Sequence, residues 1–148
     1  MKGIVALLTT TALLAGCSPG PVQIHRQSSH VERTADAQAR LEWAKRSSAV
    51  KCNSDAQCKR AFIAAKNYIL DNSDMRIQTS DEHYVATYRP SYVNGGMIGL
   101  SARVVPVSGG GYEIRPGGEC GIAIPECIET LITRIKGFKP YIESISAE

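Results

Sequence analysis

Few residues in this chain could carry chemistry, and they do not form a recognisable catalytic set. A serine or cysteine nucleophile needs a base within hydrogen-bond reach. His83 is the one histidine within residues 31–148, the segment that we predict to fold. That segment has no Gly-x-Ser-x-Gly turn for a nucleophilic serine. Its candidate carboxylates are Asp81, Glu82, Glu113, Glu119 and Glu126. Any small domain offers such carboxylates, so we expect a protein that is not an enzyme and has no cofactor.

Cys17 has the most specific sequence context of the five cysteines. It ends the run Leu14–Cys17, after Lys2 and an apolar stretch from Gly3 to Gly16. This run resembles the lipobox of bacterial lipoproteins. The resemblance implies cleavage before Cys17, a diacylglyceryl thioether on its sulfur and an acyl chain such as palmitate on the new N-terminus. An apolar stretch of about 14 residues is too short to span a bilayer, which needs about 20, and is typical of a signal peptide.

The resemblance also bears on location. Ser18 follows the modified cysteine, where an aspartate typically retains lipoproteins in the inner membrane. For a Gram-negative host, the resemblance therefore implies anchoring through Cys17 at the periplasmic face of the outer membrane. Residues 1–16 would be the signal peptide, and residues 17–30, with two prolines, a glycine and three serines, would be a lipidated flexible tether. His25 and His30 lie in this tether without other ligands at fixed spacing, so no metal site is predicted.

The four remaining cysteines form an even set in an oxidising compartment. Of their three pairings we favour the two local ones, Cys52 with Cys58 and Cys120 with Cys127. Each pair would lie across the expected start of a helix. A four-thiolate zinc site is the alternative, but gaps of five and six residues do not match its usual spacing.

Composition limits the partners. Removal of residues 1–16 takes away one charged residue, Lys2, and leaves 132 residues with a formal charge of +2 in place of +3. A chain of this length forms one ordinary domain, residues 31–148. Its scattered charges provide no strong field for nucleic acid.

Three segments have the pattern of helices. Val31 to Ala49 is rich in helix formers, with Ala35, Ala39 and Trp43 at four-residue spacing and Leu41 off that stripe. A second helix follows the capping oxygens of Asn53, Ser54 and Asp55 and ends at Asp71–Asp74, and its buried stripe would be Cys58, Ala61, Phe62, Ala65 and Ile69. A third helix would begin at Pro125 and end at Gly137, because Pro140 prevents its continuation.

Between the second and third helices the period of the hydrophobic residues changes to two. The predicted strands are Met75–Thr79, His83–Arg89, Ile98–Val107 and Tyr112–Arg115, joined by short polar or glycine-rich loops. The order α-α-β-β-β-β-α predicts an α+β fold in which helices cover one face of a four-stranded antiparallel meander. The other face is left to water or to a partner.

The uncovered face is where we expect a partner to bind. If Met75, Ile77, Leu100, Val104 and Ile114 face the helices, the opposite face carries Arg76, Gln78, Thr87, Arg89, Ser101, Arg103, Glu113 and Arg115. Four arginines on one face could engage carboxylates or phosphates. Tyr88 and Tyr92 add interface-type residues in an adjoining loop. The predicted binding residues are therefore Arg76, Tyr88, Arg89, Tyr92, Arg103 and Arg115.

Two classes of function remain. In the first, the chain is a membrane-anchored envelope lipoprotein that acts as a non-catalytic binding module for a protein or glycan partner. In the second, it is an inhibitor, immunity or exclusion lipoprotein that blocks a lytic enzyme, a toxin or a phage step. The first predicts a host partner that copurifies, and the second predicts a phenotype only under challenge.

Overall fold

The computed structural model describes residues 21–146, which form three helices and a five-stranded antiparallel sheet. The predicted signal peptide, Cys17 and the first residues of the predicted tether lie outside the described residues. The elements are α1 (Pro21–Ser47), β1 (Val50–Cys52), α2 (Asp55–Asn72), β2 (Ile77–Ser80), β3 (Tyr84–Thr87), β4 (Ile98–Pro106), β5 (Tyr112–Cys120) and α3 (Pro125–Ser146). A short 3-10 helix, Tyr92–Asn94, lies between β3 and β4.

The sheet has the order β1-β5-β4-β3-β2, so the four strands that follow α2 form the predicted antiparallel meander. Its centre is the β4–β5 hairpin, paired from Ile98 with Cys120 to Pro106 with Tyr112. The turn of this hairpin contains Gly109, Gly110 and Gly111, all with φ between 83° and 97°. A side chain would be strained at that φ, so the turn requires glycine there.

The prediction of four strands is wrong by one. Strand β1 pairs antiparallel with β5 at the edge of the sheet, Val50 opposite Ile114. Three residues are too few to show alternation in the sequence, although Val50 and Cys52 are buried and Lys51 is exposed. Strand β5 also continues past its predicted end at Arg115, through Pro116 and two glycines to Cys120. Pro116 lies beyond the last β1 pair, so its missing N–H removes no bond to β1.

All three helices pack on one face of the sheet. Helix α2 contacts β1, β3, β4 and β5, while α3 packs on β5 between α1 and α2. The predicted stripe of α2 is buried, and Ser54 caps the helix by accepting a hydrogen bond from the N–H of Gln57 at 3.3 Å. The core lies between this helical layer and the sheet, and Phe138 and Ile142 of α3 and Ile114 of β5 are fully buried there.

The predicted apolar face of α1 is wrong. Ala37, Leu41 and Ala44 are buried, whereas Trp43 is 57% exposed, with the Lys136 ammonium 5.8 Å from its ring centre. The small alanines let α1 approach α3 closely, and Leu41 supplies the large buried side chain. The buried stripe of α1 therefore consists of Ala37, Leu41 and Ala44, and Trp43 lies outside it.

Helix α1 also begins earlier than the predicted Val31. Its first residue is Pro21, so the helix includes residues 21–30, which we had assigned to the flexible tether. Proline is favourable in the first turn of a helix because its φ is already helical and its missing N–H would have no partner. No proline or glycine follows within α1. Nothing in the sequence therefore stops the helix before Ser47.

The predicted end of α3 is also wrong, because the helix continues through Gly137 and Pro140 to Ser146. Pro140 costs a helix about 3 kcal/mol by removing a hydrogen bond and by steric clash. Continuation buries Phe138 and Ile142 completely, which offsets that cost. Gly137 has its own packing role here: a Cβ at this position would lie 2.6 Å from the hydroxyl oxygen of Tyr68.

Two disulfide bonds join the predicted cysteine pairs, which confirms the local pairing. Cys52 at the end of β1 bonds to Cys58 in the first turn of α2, with 5.3 Å between their Cα atoms. Cys120 at the end of β5 bonds to Cys127 in the first turn of α3, with 6.1 Å between their Cα atoms. Each bond therefore ties the end of a strand to the start of the next helix.

Candidate binding surface on the open sheet face

The face of the sheet opposite the helices, which we call the open face, is covered by no described element. Its composition follows from strand alternation, since Leu100, Ala102 and Ile114 are buried on the helical side. The residues of the other parity in the paired strands are Lys51, Tyr84, Ala86, Gly99, Ser101, Arg103, Val105, Glu113, Arg115, Gly117 and Glu119.

One row of this face carries two arginines and an aromatic ring. Tyr84, Arg103 and Arg115 occupy directly opposed positions on β3, β4 and β5. The Arg103 guanidinium carbon lies 5.5 Å from the ring centre of Tyr84, a cation–π contact. The Arg115 Nε donates to Glu113 Oε2 at 2.7 Å. Within residues 21–146, Arg103 has no carboxylate partner.

The turn that precedes β3 places Tyr84 at the start of this row. One carboxylate oxygen of Asp81 accepts hydrogen bonds from the backbone N–H groups of His83 and Tyr84, each at 2.7 Å. The N–H groups of His83 and Tyr84 lower the pKa of Asp81, because they stabilise its ionised form. The charged aspartate therefore holds the β2–β3 connection in place.

Two adjoining depressions lie on the open face, one at the central row and one between that row and Glu119. One, of about 160 Å³, is lined by Tyr84, Ser101, Arg103, Arg115 and Gly117, among others. The second, of about 290 Å³, shares Tyr84 and Ser101 and extends to Gln78, Arg89 and Glu119. Gly117 lines the smaller depression, and a Cβ there would lie 2.6 Å from the Ser101 hydroxyl oxygen, so a larger residue would displace that hydroxyl. Together they form one shallow trough across β3, β4 and β5.

The far end of the trough adjoins a loop with exposed apolar residues, 88–97, which we call the aromatic loop. Tyr92 and Val93 are 78% and 91% exposed, and Tyr88 is also exposed. Backbone bonds hold the base of the loop, since Ile122 N–H donates to Gly95 and Gly121 N–H donates to Met97. The aromatic loop thus presents apolar groups from a fixed base.

The six predicted binding residues do not all lie together. Arg103 and Arg115 share the central row. Arg89 lies at the far end of the trough, where its Nε is 2.9 Å from Glu119 Oε2, beside the exposed Tyr88 and Tyr92. Arg76 precedes β2, and its carbonyl accepts the N–H of Tyr88 at 2.8 Å. The six residues therefore form two groups, Arg103 with Arg115 in the central row and the other four at the far end of the sheet.

The placement of Thr87 on the open face is wrong. Its side chain is buried, its Oγ1 accepts from the Leu100 N–H at 2.9 Å, and the Ser73 hydroxyl lies 3.1 Å away. Thr87 shares the parity of the buried Val85, and its hydroxyl contacts the Leu100 backbone of β4 at the margin of the second depression. The hydroxyl satisfies a backbone group and therefore tolerates burial.

Sequence reasoning missed Tyr84 and Glu119 as residues of this surface. Tyr84 neighbours the buried Val85, so alternation along β3 could have placed it on the open face. Glu119 lies in the part of β5 that follows Pro116, where the pattern had predicted no strand. Its position follows only from pairing with Gly99 on β4.

The largest cavity described lies elsewhere, between α2 and the ends of β3, β4 and β5. It has a volume of about 430 Å³ and an apolar wall that includes Phe62 and Val104. Its charged rim mixes Lys59 and Lys66 with Asp55 and Glu82. The rim of this cavity therefore carries both positive and negative side chains.

No family model matches this chain, and no curated protein or solved structure does either. Among the helices described, none is long and apolar enough to cross a bilayer. The described part of the chain also holds no cluster of three or more histidine, cysteine, aspartate or glutamate side chains that could bind a metal ion.

Proposed function

We propose that this protein is an envelope lipoprotein, anchored through Cys17, whose domain is a non-catalytic binding module for a protein or glycan partner. The observation that carries the proposal is the open face. In its central row, Arg115 pairs with a carboxylate and Arg103 does not. The exposed aromatic loop adjoins this row, and no described element covers the face.

The residue types of this surface support binding rather than mere solvation. Tyrosine and arginine are enriched at protein interfaces and among the residues that contribute most of the binding energy. A solvated sheet face needs neither Tyr92 and Val93 almost fully exposed nor two arginines at directly opposed positions. Like charges directly opposite in an antiparallel pair are destabilising. The repulsion between Arg103 and Arg115 therefore destabilises the free protein slightly, and an anionic group of a partner would relieve it.

The anchor is supported by the lipobox-like run that ends at Cys17. A single acyl chain binds a membrane only marginally, whereas several chains on one residue anchor it stably. The periplasmic face of the outer membrane is the location that Ser18 favours. An anchored module would meet its partner at high local concentration, so it could function with a modest intrinsic affinity.

Site-specific crosslinking in living cells tests the proposal. A photoreactive amino acid replaces Tyr92 on the aromatic loop or Thr133, which is exposed on α3. We expect the variant at position 92 to capture one host protein or glycan in unchallenged cells, and the variant at position 133 to capture none. Equal capture at both positions, or none at 92, would refute a partner on the open face.

A further inference from the structure

The central row of the open face suggests which chemical group the partner presents. Arg103 and Arg115 are directly opposed on β4 and β5, so their positive charges lie on neighbouring strands. Repulsion between them is relieved when an anion binds between the two guanidinium groups. Glu113 already supplies such a carboxylate to Arg115 at 2.7 Å.

Arg103, unlike Arg115, has no carboxylate partner within residues 21–146. Its guanidinium is held over the ring of Tyr84 at 5.5 Å. Guanidinium groups carry five N–H donors in a planar fork that matches a carboxylate. No side-chain or backbone acceptor within residues 21–146 takes a hydrogen bond from this guanidinium. The adjoining depression of about 160 Å³, which Arg103, Arg115 and Ser101 line, has room for one such group.

We propose that Arg103 and Arg115, together with the neighbouring Ser101, form a binding subsite for a carboxylate group of the partner. This inference rests on the proposed function, because it names the chemistry of the group that the binding module recognises. The carboxylate accepts hydrogen bonds from both guanidinium groups, and Tyr84 keeps Arg103 in position.

The charge of the row favours a carboxylate over a doubly charged phosphate. Glu113 already pairs with Arg115, so Arg103 is the guanidinium of the row that lacks a carboxylate within the described residues, and one carboxylate supplies it. A dianionic phosphate would bring a second negative charge against the Glu113 carboxylate. Like charges at short range disfavour that arrangement.

The test uses the full chain in a nonionic detergent, with acetate as the probe. NMR follows the side-chain Nε–Hε signals of the arginines as acetate replaces chloride at constant ionic strength. We expect saturable shifts at Arg103 and Arg115. Arg103→Gln should weaken acetate binding about tenfold, the effect of losing a charge-assisted hydrogen bond. Arg60→Gln removes the same charge from the exposed surface of α2 and should leave binding unchanged.

A second variant separates a binding subsite from general charge screening. Glu113→Gln removes the internal carboxylate that occupies Arg115, so acetate should bind more tightly than in the wild type. Shifts at Arg103 and Arg115 no larger than that at Arg60 would overturn the inference. Inorganic phosphate that binds more tightly than acetate would overturn the assignment to a carboxylate.

The two proposals can fail separately. If acetate does not bind but Arg103→Gln still reduces crosslinking at position 92, the open face binds a partner through other chemistry and only the carboxylate inference is wrong. If acetate binds as expected but position 92 captures no partner, the subsite stands and the proposed function is wrong.

Discussion

At the scale of single residues, Thr87 replaces a backbone contact between β3 and β4 with a side-chain contact. The strand pairing ends at Ala86 with Ser101, and the next polar group, the buried Leu100 N–H, donates to Thr87 Oγ1 at 2.9 Å. The same oxygen lies 3.2 Å from the Leu100 carbonyl. A polar residue in a buried position is therefore a structural link here rather than a member of the binding surface.

The substitution Thr87→Val tests this link. Valine keeps the shape but leaves the Leu100 N–H without an acceptor, so we expect the free energy of unfolding to fall by about 1–3 kcal/mol. Thr87→Ser retains the hydroxyl and is the control. Chemical denaturation measures both variants, and a valine variant as stable as wild type would contradict the proposed role of the hydroxyl.

Asp81 gives a second prediction, on pH dependence. Its pKa is lowered in the folded protein by the N–H groups of His83 and Tyr84. Its contribution to stability is therefore complete above the pKa of an unfolded aspartate and is lost as pH falls through the lower, folded pKa. We expect a carboxyl NMR titration of Asp81 with a midpoint below that of ordinary aspartates.

Asp81→Asn is the matched control for this titration. Its amide oxygen can still accept the two hydrogen bonds, but it does not ionise in this range. The acidic loss of stability that arises from this turn should be absent in the variant. An Asp81 midpoint at or above the ordinary aspartate value would show that the turn does not depend on the charge.

At the scale of elements, the predictions from the sequence were right where one local signal dominated. Helix α2 has a cap and a complete apolar stripe, so its type and buried face were both predictable. Helix α1 has a weak stripe of alanines, and packing against α3 decided which face is buried. Strand β1 and the end of α3 depend on partners distant in sequence, Ile114 for Val50 and Tyr68 for Gly137. Local patterns could not reveal those contacts.

Pro140 provides the element-scale prediction. It lies inside α3 and is exposed, so Pro140→Ala restores a backbone donor without disturbing the core. We expect the free energy of unfolding to rise, by up to about 3 kcal/mol, as proline in a helix interior costs this much. Thermal and chemical denaturation provide the measurement. A less stable variant would indicate that α3 ends near Gly137, as the sequence pattern had predicted.

In the molecule as a whole, the two faces of the sheet have different roles. The helical side buries the core, with two disulfides holding the starts of α2 and α3. The sheet side presents the trough and the aromatic loop. Strand alternation alone predicted that Arg103 and Arg115 share a face, but the trough needed the register of three strands, including pairs such as Ser101 with Gly117. No local pattern specifies that register.

The proposed anchor concerns the whole molecule, and a single substitution tests it. Cys17→Ala removes the sulfur that would carry the lipid, so we expect the protein to leave the membrane fraction or to remain as unprocessed precursor. Labelled palmitate should mark the wild type and not the variant. Equal labelling of the wild type and the variant would contradict the lipoprotein proposal.

Charge reversal combined with crosslinking shows whether the open face binds the partner. The photoreactive group stays at position 92 in living cells, while Arg103→Glu is compared with Arg60→Glu, which makes the same change of charge on α2. Exposed arginines contribute little to stability, so neither variant should melt below the wild type, and Arg103→Glu also removes the unfavourable pairing of Arg103 with Arg115. We expect Arg103→Glu to lower the yield of crosslinked partner about tenfold or more and Arg60→Glu to leave it unchanged. Equal yields from the two folded variants would contradict binding of the partner at the open face.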